Sequence, residues 1–286
     1  MTTTVAYTPI LNRQHYIVPM RMSSIVLEDA ATAAASNGSA LGTWLDVADA
    51  MSGVKTVTTS GSGSTFEILI GSETFTITNV ARATGVVTLT FNSNPTGKVA
   101  VGDFIKVAAV TNTGVNGTFE VKSVTTTGVT YDQAGNNITS GVDTGTVTSG
   151  VYPLNGSGKP ILLNNITGAP LSSNTNTESV ITDDAVTLGS TVTVALSDSR
   201  SAAVKGMTVH RSVDHKIMQI FDSFGTAEQL AFKYLRVGPG GTSEKKLCYA
   251  QFSSISEEGD SGTLAKFNAT MTVLGRVYTI FDNTAG

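Results

Sequence analysis

In Lys266-Phe267-Asn268-Ala269-Thr270-Met271-Thr272-Val273-Leu274-Gly275-Arg276, apolar Phe267, Ala269, Met271 and Val273 alternate with Lys266, Asn268, Thr270 and Thr272. A period of two marks a strand with one apolar and one polar side. The apolar side needs a core, and the polar side needs water or a polar neighbour. Upstream the same rule predicts two more strands. Lys246, Cys248, Ala250 and Phe252 face away from Leu247, Tyr249 and Gln251, and Leu230, Phe232 and Tyr234 alternate with Gln229, Ala231 and Lys233. Gly238 to Gly241 around Pro239 turn the chain, and Ser256 to Gly262 gather Glu257, Glu258 and Asp260 on a predicted hairpin tip.

Before these strands, Ile217, Ile220, Phe221 and Phe224 recur at i, i+3, i+4 and i+7, which predicts a helix over 212–224. Ser212 or Asp214 can cap its first N–H groups and Gly225 can stop its last turn. The four apolar residues form the stripe expected to pack on the sheet. Further toward the N-terminus, Val186-Thr187-Leu188 and Val192 to Leu196 have strand patterning. Residues 159–180 are rich in Asn, Ser and Thr and are expected to form a long polar loop.

Two clusters of breakers, Ser60 to Ser64 and Ser149 to Gly158, bracket a stretch with its own strand pattern. Phe75 to Thr78, Val87 to Phe91, Phe104 to Val107, Phe119 to Val124, Val129 to Tyr131 and Gly145 to Val147 predict a small all-β module, Ig-like or a small barrel. In front of it, Leu41, Trp44, Leu45, Ala48 and Met51 form a short helical stripe that Ser39 can cap. Residues 1–24 suit an extended arm leading into an edge strand at His15 to Met22. The expected organisation is an arm and first part of a main domain at 1–64, an inserted β module at 65–150, and the rest of the main domain at 151–286. The fold class is mainly β, a sandwich or barrel with one packed helix plus the insertion.

Composition narrows the function. Of 286 residues only 14% are charged and the formal net charge is -4, so no average basic surface is available for tight binding to a phosphate backbone. The single cysteine, Cys248, lies in an apolar alternation and is expected to pack as a small hydrophobe. No basic and apolar leader opens the sequence and no run of about 18 apolar residues occurs, so a product made in the cytoplasm without a membrane span is expected.

Catalytic constellations are sparse. His210 and His215 match neither a zinc helix nor a triad, and Asp183-Asp184 lacks the spacing of a calcium loop. Val237 to Thr242 is glycine-rich but opens no helix and has no phosphate-binding lysine. Adjacent Glu257 and Glu258 on an exposed tip lack the burial that would separate their pKa values. No catalytic residue, cofactor or metal site is read, and a non-enzymatic role is expected.

The order of these elements, a strand pair, a capped helix, alternating strands, an acidic hairpin and the closing Phe267 to Gly275, resembles the tail tube proteins of long-tailed bacteriophages. The resemblance covers the last third of the chain and, loosely, the first sixty or so residues. It implies six-fold rings of this chain stacked into a tube, with sheets of neighbouring copies joined around a channel for double-stranded DNA. Tape-measure, tail-terminator and distal-tail proteins are the implied partners, and the virion tail, assembled in the host cytoplasm, is the implied location. Glu257, Glu258, Asp260, Lys266, Asn268, Thr270 and Thr272 are the candidate channel or interface residues. Little positive charge is expected on the channel wall, and Lys266 and Lys233 depart from that. Within the insertion, Val101 to Val107 and Asn116 to Val121 are similar to a β module that recurs in phage virion proteins. A bulky insertion leaves little room for a sheath, which points to a non-contractile tail. The alternatives are another structural virion part, such as a head decoration or tail-terminator protein, and a surface adhesin or carbohydrate-binding module.

Overall fold

Thr, Val, Ser and Ile crowd the chain, and β-branched residues fit the half-buried pleated surface better than a helix. The computed structural model is accordingly mainly β. It describes residues 13–35, 44, 55–164, 166–168, 171–182, 190–207, 212–238, 244–258 and 266–281. In chain order the elements are β1 (Gln14–Arg21), α1 (Leu27–Ala35), β2 (Val57–Ser60), β3 (Glu67–Ile70), β4 (Thr74–Ala83), β5 (Val86–Phe91), β6 (Phe104–Ala108), β7 (Gly117–Glu120), β8 (Ser123–Val124), β9 (Gly128–Asp132), β10 (Ile138–Val142) and β11 (Thr146–Ser149). They continue with β12 (Val151–Tyr152), β13 (Ile161–Leu162), β14 (Ile166–Gly168), β15 (Leu171–Thr182), β16 (Ser190–Met207), α2 (Val213–Phe224), β17 (Leu230–Val237), β18 (Glu244–Glu258) and β19 (Lys266–Phe281). The chain divides into two units, one made of Met1–Ser52, Lys159–His210 and Asp214–Gly286, the other of Gly53–Gly158 with Arg211–Val213.

The first unit is built on an antiparallel sheet in the order β13-β1-β17-β18-β19-β16-β14, with β15 added along β16. Residues 159–180, expected as a loop, instead contain β13, β14 and most of β15. β15 pairs with β16 from Leu171↔Ala202 to Thr182↔Ser190. A segment of Asn, Ser and Thr shows no apolar period, yet its backbone pairs as well as any other. β1, expected as an edge strand, has β17 along all eight residues and β13 against Tyr16 and Ile17. Pro19 falls where β1 has one partner only, which suits a residue without an N–H. The arm at 1–12, the Val186 to Leu188 strand and, Trp44 apart, the 41–51 stripe lie outside the described residues.

α1 has no counterpart among the sequence expectations. Its Ala-rich Leu27–Ala35 has strong helix propensity, and Glu28 and Asp29 favour the positive end of the helix dipole. It has too few large apolar residues to show a stripe. α2 spans Val213–Phe224 and presents Ile217, Ile220 and Phe221 to the core at 0%, 7% and 4% exposure, while Phe224 is 36% exposed. Phe221 meets Phe232 and Phe252 edge-on, with ring centres 5.5 and 5.3 Å away.

The second unit holds a sheet in the order β7-β6-β11-β4-β5-β9-β8, with β10 on β4. Its two edge strands, β7 and β8, follow each other in the chain. Val121 N–H donates to Asp103 O and accepts through its own carbonyl from Gly102 N–H, while Lys122 N–H donates to Thr130 O, each at 2.8 Å. The chain thus passes from one edge to the other and the sheet closes into a small barrel, leaving no long open edge. The expected single strand at Phe119 to Val124 is broken there into β7 and β8. Phe75, Leu89, Ile105, Tyr131 and Val147 fill the interior, each 1% exposed or less.

The Ser60 to Ser64 run, expected as a flexible linker, is the turn of a β2–β3 hairpin. Gly61 has φ +75° and packs on the Thr65 carbonyl, where a Cβ would collide, so it is required by the turn. β12 and β3 pair, completing a three-stranded sheet, and Lys106 Nζ lies 2.8 Å from Glu67 Oε2.

Candidate functional site

The register of the large sheet shows which side chains share a side. Phe232, Ala250 and Val273 lie opposite one another, and Ala202↔Met271 and Val204↔Ala269 continue the same side across β16 and β19. All seven are buried, and α2 lies on this side through the Phe221, Phe232 and Phe252 rings. Each large buried side chain contributes roughly 1.5–3 kcal/mol.

The opposite side is divided. Over β17, the first half of β18 and the second half of β19 it is covered, because Tyr249 Oη donates to Asp29 Oδ2 of α1 at 3.4 Å and the Trp44 ring meets Tyr249 edge-on at 5.5 Å. Lys233 belongs to this covered part. Its Nζ donates to Trp44 O at 3.1 Å and stands 5.2 Å from the Trp44 ring centre, a cation–π arrangement. Burial lowers the Lys233 pKa, while Asp29 opposes that change. Lys233 therefore serves packing on this side, and β17 is buried on both faces.

Over the second half of β18, the first half of β19 and the described part of β16, nothing described covers the sheet. Ala203↔Thr270 and Lys205↔Asn268 face outward on β16 and β19, and Ser256↔Asn268 and Glu258↔Lys266 do so on β18 and β19. Ala203, Lys205, Ser256, Glu258, Lys266 and Thr270 are exposed, and Asn268 and Thr272 are half-buried. Asn268 Nδ2 donates to Glu258 Oε1 at 2.5 Å. Lys205 and Lys266 bring positive charge to this face, and Glu258 stands opposite Lys266 in register.

Of the candidate channel or interface residues, Glu258, Lys266, Asn268, Thr270 and Thr272 therefore share the open face. Glu257 does not. Strand alternation turns it to the α2 side, where its Oε1 lies 3.6 Å from His215 Nδ1. Asp260 lies outside the described residues. The hairpin-tip reading grouped these acids by sequence adjacency, whereas neighbours in a strand point to opposite faces. Lys205, Ser256 and the Asn268–Glu258 bond were not singled out from the sequence; the alternation of Ala202, Val204 and Gly206 with Ser201, Ala203 and Lys205 was the available signal.

At the far end of the α2 side is a buried polar cluster. His15 Nδ1 and Tyr234 Oη share a 2.8 Å hydrogen bond, and Arg236 Nη2 lies 3.2 Å from Glu244 Oε1, which Lys246 Nζ also approaches to 3.1 Å. Burial lowers the His15 pKa from 6.5 to about 4, helped by the charges of Arg236 and Arg13. Between these values the unfolded chain binds a proton that the folded chain does not, so this contribution to stability is full above pH 6.5 and declines as the pH falls toward 4. The decline amounts to about 3 kcal/mol. Urea unfolding of the protein and of His15→Gln over this range should show that share of the pH slope removed in the variant; equal slopes would refute it.

Other chemical candidates are dispersed. Cys248 is buried and burial pushes its thiol up to about 12, against the thiolate a reactive cysteine needs. Asp214 Oδ2 accepts from Asn164 N–H at 2.9 Å and ties the start of α2 to the chain before β14. His210, Asp183 and Asp184 lie outside the described residues. Among the described residues no three His, Cys, Asp or Glu side chains gather as metal ligands, and no helix is long and apolar enough to cross a membrane.

No protein-family model matches the chain. No curated protein matches it either. Among solved structures, a chain of the "Virion of native gene transfer agent (GTA) particle" is similar at 16% identity and TM-score 0.32, over 40% of this chain and 84% of that one. A chain of the "Tail of empty GTA particle computed with helical refinement, C6 symmetry" is similar at 17% identity and TM-score 0.34, over 42% and 86% respectively.

Proposed function

We propose that this chain is a structural virion protein, the tube-forming subunit of a long, non-contractile phage tail. Six copies form a ring, rings stack, and the open polar face of β16, β18 and β19 turns toward the channel. The observation that carries this reading is the division of one sheet. Its α2 side is apolar and buried, while half of the other side stays polar and uncovered.

A channel wall needs such a surface, wet enough to pass a hydrated duplex and without dense positive charge to hold phosphates. Thr270, Thr272 and Ser256 meet the first need, and Glu258 opposite Lys266 moderates the second. Joining sheets between copies would also shield their edges. Tape-measure, terminator and distal-tail proteins are the partners this role requires, and assembly takes place in the host cytoplasm before the tail enters the virion.

Negative-stain microscopy of purified protein at rising concentration tests the reading. Hollow tubes or six-fold rings are expected. A chain that stays monomeric throughout would refute it, and globular or planar assemblies without a channel would favour a decoration protein.

A further inference from the structure

Positive charge collects at the end of the large sheet where β1, β17 and β18 meet. Arg236 and Lys246 stand opposite each other in register, and both reach the Glu244 carboxylate, at 3.2 and 3.1 Å. Arg13, exposed just before β1, is the third cation. The hydrogen bond from Lys246, with the charges of Arg236 and Arg13, holds the Glu244 carboxyl below its ordinary range. Three cations thus share one carboxylate, and this pole keeps an excess of positive charge.

Near the other end of β18, on the same side of the sheet, a groove of about 490 Å³ runs between α2 and the strands. Met218, Ile255 and Phe267 give it an apolar lining, and His215, Asp222 and Glu257 give it a polar rim. Asp222 is exposed, as is half of the Glu257 side chain, and no described lysine or arginine lines the groove. Lys205 and Lys266 belong to the open face, on the other side of the sheet. At about 3.3 Å per residue, roughly 35 Å of β18 separates Lys246 from Glu257, several times the screening length of about 10 Å at 0.1 M salt. The two charges therefore do not neutralise each other within one chain.

We propose that a second copy of this chain docks head to tail, the basic pole of Arg13, Arg236 and Lys246 on one copy meeting the acidic groove of Asp222 and Glu257 on the next. The inference rests on the reading of the chain as a tube subunit and adds the residues that join one copy to another. Opposite charges meet, and the apolar lining of the groove receives the aliphatic stems of arginine and lysine. Because the two patches differ, the contact is heterologous and can be repeated from copy to copy, as a ring or a stack requires.

Two charge-reversed chains test this contact, Arg13→Glu with Lys246→Glu, and Asp222→Lys with Glu257→Lys. Light scattering reads assembly, and urea unfolding checks that each chain is folded. Either variant alone should need about tenfold more protein than the parent to assemble, since like charges then face each other. An equal mixture of the two should assemble as the parent does, because each chain now presents the charge that the other meets. Should a double change unfold the chain, Arg13→Glu and Asp222→Lys, both at exposed positions, repeat the pair. Raising salt from about 0.05 to 0.5 M should weaken assembly of the parent. Variants that assemble as readily as the parent, or a mixture no better than its components, would overturn the contact and leave the tube reading standing. A parent that never leaves the monomer overturns both. Pole-dependent growth into filaments without a channel would uphold the contact and refute the tube.

Discussion

Met271→Lys is expected to abolish folding of the first unit, while Thr270→Lys one residue away leaves stability within about 0.5 kcal/mol of the parent. Met271 is 0% exposed on the α2 side, opposite Phe252 on β18 and Ala202 on β16. No acidic side chain lies opposite it in either register. A lysine there must give up its proton to stay buried, and neutralising a group of ordinary pKa 10.4 at pH 7 costs about 4–5 kcal/mol. Lost Met packing adds to that, against a total stability of roughly 5–15 kcal/mol for a typical protein. Thr270 points to the open face, where a lysine keeps its water. Soluble yield and urea unfolding of the two variants read the difference; equal behaviour would mean that the two sides of β19 are not distinguished as described.

Phe232→Ala should lower stability by about 3–5 kcal/mol. Phe232 is 0% exposed and its ring centre is 5.5 Å from Phe221 and 4.5 Å from Phe252, so truncation empties the contact between α2 and two strands. Those neighbours are held by the sheet register and cannot close the gap fully. Phe224→Ala is the control: at 36% exposure on the last turn of α2 it should cost far less. The expected readout is a lower urea midpoint with an unchanged slope for Phe232→Ala, since the surface exposed on unfolding hardly changes. A shift no larger than that of Phe224→Ala would show that α2 does not anchor the sheet.

The sheet's apolar side was legible in the sequence because strand alternation is local. Phe267, Ala269, Met271 and Val273 need only their spacing to be placed together. α2 was legible for the same reason, through Ile217, Ile220 and Phe221. α1 was not, since alanines supply helix propensity without a stripe. β15 was hidden because pairing with β16 uses backbone groups that every residue carries. The Ser60 to Ser64 run has linker composition, and only the pairing of β2 with β3 reveals it as a turn.

The candidate site followed the same division. Lys266, Asn268, Thr270 and Thr272 could be assigned to one face from periodicity, but Glu257 and Glu258 were grouped by adjacency and the strand separates them.

What the sequence by itself determined was which side chains share a face, because the periods of helix and strand are properties of a few consecutive residues. Tertiary structure alone decided which part of each face is covered. Lys233 and Lys266 both sit on strands and both could have faced water. Lys233 lies under Trp44, 189 positions away in the chain, while Lys266 stands on the uncovered part. Burial depends on what the folded chain brings from a distance, and no local pattern encodes that arrival.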